Sequence, residues 1–114
     1  MTITTVKKLY RTCDKMRVQL DELEEVMGRC AQDATYYTDT LAFEVMEIID
    51  RLRASGLVRD STKVDIVSIE SYEFWLTVAL DAEIDPYTES KLKQEFTVEP
   101  DGKKRLIFFI KLIN

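Results

Sequence analysis

VKKLYRTCDKMRVQLDELEEVMGRC, residues 6–30, is the stretch whose spacing organises the rest of the chain. Its apolar residues fall at Val6, Leu9, Cys13, Met16, Leu20, Leu23, Met27 and Cys30. Steps of three and four alternate without a slip, which is the a/d seam of a heptad repeat. A helix over about residues 4–32 is expected, with Thr4 or Thr5 as its cap. Its outer positions carry Lys7, Lys8, Arg11, Lys15 and Arg17 first, then Asp21, Glu22, Glu24 and Glu25. That order opposes the helix macrodipole, and an antiparallel partner helix would relieve it by setting each block against its opposite. The seam is therefore expected to be an interface, made by Val6, Leu9, Cys13, Met16, Leu20, Leu23 and Met27. An intramolecular helical hairpin is the competing reading of the same residues.

Downstream, Asp33 to Asp39 mixes helix breakers with Tyr36 and Tyr37 and reads as a connection, with a continuous helix through it as the alternative. The two tyrosines are candidate interface anchors. A second helix over about 40–55 follows, with Leu41, Val45, Ile48, Ile49 and Leu52 as its inward stripe and Ala42 and Met46 widening it. Gly56 ends that helix as a left-handed cap, and Leu57 folds back over it.

Beyond the Asp60-Ser61-Thr62 turn the texture becomes β-branched and aromatic, giving strands at about 63–71 and 73–84. Asp85-Pro86 opens a short helix over about 86–95. Strands at about 96–99 and 103–113 then flank the Pro100-Asp101-Gly102 turn. The expected architecture is one α+β domain in the order ααββαββ, two helices on a mostly antiparallel four-stranded sheet. The last strand carries apolar residues at 106–110, 112 and 113, where a strand with one wet face would alternate. Phe74-Trp75-Leu76 repeats that pattern. Both faces of the sheet are thus expected to be covered, the second by the short helix or by another subunit.

The 114 residues suffice for one core without disulfides. Sixteen basic against 21 acidic residues leave a net charge of -5, which disfavours binding to double-stranded nucleic acid. Cys13 and Cys30, about 25 Å apart on one expected helix, do not bridge each other, so a reducing, cytoplasmic setting fits. No signal peptide or membrane span is evident, and no membrane role is expected.

With no histidine, Ser-His and Cys-His nucleophiles and ordinary zinc sites are excluded. Gly28, Gly56 and Gly102 stand too far apart in sequence for a phosphate-binding loop. Ser90 and Lys93 make an isolated S-x-x-K without its companion motifs. Asp81, Glu83 and Asp85 share one face of a strand end, which a wet surface explains as well as a metal does. Lys103, Lys104 and Arg105, with Lys91 and Lys93, are the candidate clasp for a phosphorylated or nucleotide-like ligand. The expectation is a non-catalytic protein without cofactor or metal. It acts as an adaptor, chaperone or inhibitor through contact with another protein, as a homodimer or higher homo-oligomer. Sequestering a small phosphorylated ligand is the alternative.

Overall fold

A computed structural model describes the backbone of residues 2–15, 29–70 and 72–112, and the side chains of 4–15, 40–69 and 72–112. It is α+β, with five antiparallel strands and three helices among the described residues. Strand β1 (Thr2–Thr5) leads into helix α1, described over residues 6–15, and helix α2 spans Arg29–Ala54. Then come β2 (Lys63–Glu70), β3 (Glu73–Ala79), α3 (Pro86–Glu95), β4 (Val98–Pro100) and β5 (Arg105–Lys111). The sheet order is β1-β2-β3-β5-β4.

Three boundaries differ from the sequence expectation. β3 ends at Ala79, not near residue 84, because the chain leaves the sheet where the Asp81 amide bonds to the Leu57 carbonyl at 3.0 Å. Thr2–Thr5 is a fifth strand: four β-branched residues pair with Lys63–Ile66 along the otherwise free edge of β2. Helix α1 starts at residue 6, and Thr5 still caps it, its hydroxyl accepting from the Lys8 amide at 3.3 Å. The stretch 33–39 is helix, not connection. It holds no glycine or proline, and its Asp and Thr residues are only mildly poor helix formers. Cys30 accordingly belongs to α2. Met16, Leu20, Leu23 and Met27 lie outside the described residues. The end of α2 is the expected Schellman arrangement, with Gly56 at φ 70° and the Leu57 amide bonded to the Leu52 carbonyl at 3.0 Å.

One core lies on one side of the sheet. Val45, Ile48, Ile49 and Leu52 of α2, Val6, Leu9 and Cys13 of α1, and Leu92 of α3 meet Val64, Leu76, Val78, Leu106, Phe108 and Ile110. Phe96 closes on Phe108 edge to face, with ring centres 5.8 Å apart. The Arg53 guanidinium lies over the Tyr10 ring at 4.7 Å, joining α1 to α2, and Arg51 pairs with Glu95, joining α2 to α3. The short helix therefore shares the side taken by the other two. It is not the cover for the second face.

At the end of β3, the buried Thr62 hydroxyl accepts from the Arg59 amide at 2.7 Å and donates to the Asp81 carboxylate at 3.0 Å. This fastens the loop after α2 to the sheet.

Candidate functional site

Period two along the strands divides each of them between two faces. In β5, Leu106, Phe108 and Ile110 enter the core while Ile107 and Phe109 point the other way. In β3, Leu76 and Val78 go inward, and Trp75, Thr77 and Ala79 go outward. Register aligns the outward residues in rows across the sheet: Val67–Trp75–Phe109, then Asp65–Thr77–Ile107, then Ala79–Arg105 with Lys63 alongside on β2. Among the described residues no helix covers this face. Trp75 is 43% exposed and stands edge to face on Phe109, with ring centres 5.4 Å apart.

Beside the indole lies a hollow of about 450 Å³, floored by Thr77 and Ala79 and walled by Trp75, Ile107, Asp65 and Arg105. Two of the charges at the ends of the face are paired within the chain. Lys111 meets Glu73 at 3.6 Å, and Arg105 meets Asp101 at 3.2 Å. Around them lie an aromatic and aliphatic centre, a small-residue floor, the exposed Lys63 and the Asp65 carboxylate, whose Oδ1 has no hydrogen-bond partner among the described residues. The aromatic and aliphatic part is suited to burying another apolar surface.

The expected interface residues are placed differently. Val6, Leu9 and Cys13 are buried in the core of their own chain and present no surface to a partner. A heptad seam specifies a packing face without naming its occupant, and here α2 and the sheet occupy the described part of it. Burial pushes the Cys13 thiol up to about 11, so it is an inert apolar group at neutral pH. Tyr36 and Tyr37 fall within α2, and their side chains lie outside the described ones.

The expected phosphate clasp is not assembled as one site. Arg105 lines the open-face hollow and is paired with Asp101. The Lys91 ammonium lies over the Tyr87 ring at 5.3 Å, in a separate notch between α2 and α3. The two hollows share no lining residue. Lys93, Lys103 and Lys104 are exposed.

Two of the three carboxylates beyond the end of β3 have structural employment. Asp81 accepts from Thr62 and from Arg59 Nε, the latter at 2.8 Å. Asp85 caps α3 by accepting from the Thr88 amide and hydroxyl, and these bonds hold its carboxyl below its usual pKa. Among the described residues no group of three or more acidic or cysteine side chains is placed to hold a metal ion, and no helix is long and apolar enough to cross a membrane.

Two further surfaces lie away from the open face. Lys7, Lys8, Arg11 and Lys15 form an exposed basic stripe on α1. A groove of about 360 Å³ runs between α2 and the end of β5, lined by Glu44, Ile48, Phe96 and Ile110 among others. Burial, and then the neighbouring Glu47 carboxylate, raise the Glu44 pKa there.

Of the outward residues, Ile107 and Phe109 are signalled by the unbroken apolar run of β5 and Trp75 by Phe74-Trp75-Leu76, but the sequence alone does not assign them to one face. Compared with protein-family models, with curated proteins and with solved structures, the chain matches none.

Proposed function

We propose that this protein is a non-catalytic interaction module, an adaptor, chaperone or inhibitor that works by docking another protein surface on the open face of its sheet. The observation that carries this reading is the Val67–Trp75–Phe109 row. Three apolar side chains lie side by side across the middle of a sheet, on the side opposite the helices. Aromatic residues partly exposed at the centre of an apolar patch are the usual anchors of protein interfaces. A reducing, cytoplasmic setting belongs to the proposal and is supported by Cys13, buried as a free thiol.

The test compares wild type with a Trp75→Lys, Phe109→Lys double variant, each expressed in the source cells and sized in extract. Wild type should travel in an assembly heavier than 13.3 kDa, while the variant travels as a folded single chain. Identical elution of the two, with a native circular dichroism spectrum for the variant, would refute the reading.

A further inference from the structure

The open face carries a protrusion and a recess on the same strand. Trp75 stands out from β3, and two and four residues along it Thr77 and Ala79 floor the hollow. Trp75 and Ala79 are about 13–14 Å apart at the strand rise of about 3.4 Å per residue, with Thr77 midway. A two-fold axis through Thr77, across the strands, carries Trp75 of one chain over Ala79 of another and the reverse. This is the reciprocal contact an isologous interface requires. We propose that the occupant of the open face is a second copy of this chain, packed sheet on sheet about that axis with each Trp75 seated in the other's hollow.

Register extends the match. The same rotation sets Phe109 over the Arg105 stem and Val67 over the Lys63 stem, so apolar groups meet the aliphatic parts of long side chains. Thr77 and Ile107 meet their own copies. The two Asp65 carboxylates, each with an Oδ1 that has no hydrogen-bond partner among the described residues, approach each other near the axis, a like-charge contact that weakens the dimer at neutral pH. Arg105 and Lys111 are paired within the chain and call for no partner of opposite charge.

Size fits a weak, concentration-dependent dimer. The 29 strand residues, at a rise of about 3.4 Å and strands about 4.8 Å apart, give a face near 470 Å², or about 950 Å² over two copies. That is the size of a weak or transient interface, just short of the roughly 1,000 Å² of a stable one. Two sheets packed this way stand about 10 Å apart, leaving room for one layer of interleaved side chains from each.

The proposal rests on the open face being a protein-binding surface, and its test can fail separately. The experiment is sedimentation velocity of the purified full chain over about 1–200 µM, a range in which an interface near the lower size limit comes apart. Wild type should form a dimer of twice 13.3 kDa. Trp75→Ala, which removes the knob, and Ala79→Phe, which fills the hollow, should each weaken it at least about tenfold. Tyr87→Ala, on α3 and 69% exposed, should leave it unchanged.

Both test positions are outside the core. Should either variant fail to fold, Thr77→Arg replaces it, since two guanidinium groups would then meet at the axis. A wild-type monomer at every concentration overturns the second-copy proposal. So does a folded Trp75→Ala or Ala79→Phe that dimerises like wild type. A purified monomer that still enters a Trp75-dependent assembly in extract would refute this inference and leave the broader reading standing.

Discussion

Phe108 and Phe109 are neighbours in sequence, in one strand, and share its hydrogen-bonding pattern, yet they live in different surroundings. Phe108 is fully buried among α2, Phe96 and the inward residues of β3, whereas Phe109 is half-buried beside a tryptophan that is 43% exposed. Each face of the sheet has its own edge-to-face aromatic pair, and only one has a layer of helices over it. The lesson is that apolar content does not separate a core from an interface; what covers the residues does. Three helices spend their apolar stripes on one side, and the other side keeps side chains of the same chemistry without a cover among the described residues.

The contrast is broken most readily by chemical labelling. Cys13, in a Cys30→Ser background, should react with a thiol reagent only when the chain opens. A cysteine placed on the open face by Ala79→Cys should react at once in dilute protein, faster by a factor of about a thousand or more. Comparable rates would mean that the two faces are equally protected. Urea denaturation of dilute protein gives the next largest difference. Phe108→Ala should cost about 3–5 kcal/mol, and Phe109→Ala about 1–2 kcal/mol, because part of its ring is already in water.

Smaller effects sharpen how the covered side is fastened. Thr62→Val leaves the Arg59 amide without its acceptor and Asp81 with one donor fewer, and should cost about 1–3 kcal/mol by the same urea assay. Glu44→Gln, on the helical side, should have the smallest effect and the opposite sign. Because the folded-state pKa of Glu44 is raised, its contribution to stability is present at acid pH and is lost as pH rises through the folded value. The variant should therefore melt higher than wild type at neutral pH. The gain should vanish as pH falls below the ordinary glutamate range of about 4.

Local signals in the sequence located most elements. The inward stripe of α2, the Gly56 cap, Asp85-Pro86 at the start of α3 and the Pro100-Asp101-Gly102 turn all depend on residues close together in the chain. Thr2–Thr5 was harder, because a strand four residues long forms only where a distant edge, here β2, is waiting for it. Residues 33–39 looked like a break because aspartate and threonine suit turns, but nothing in the stretch stops a helix already under way. The candidate site was half legible. The unbroken apolar run at 106–110 announced a second apolar face, while the seam through Val6, Leu9 and Cys13 drew attention to residues that the chain uses for its own core. Periodicity states that a face is buried, and only the fold states against what.

Trp75 is the only tryptophan in the chain, so its fluorescence reports on the open face directly. Emission and acrylamide quenching measured across a dilution series test the closing of that face more directly than any change in mass. At high concentration the emission should shift to the blue and quenching should fall. Dilution should reverse both, and Ala79→Phe should hold the spectrum at its dilute, red-shifted form. A spectrum and a quenching constant that stay the same at every concentration, in wild type and variant alike, would show that a second copy does not close over Trp75.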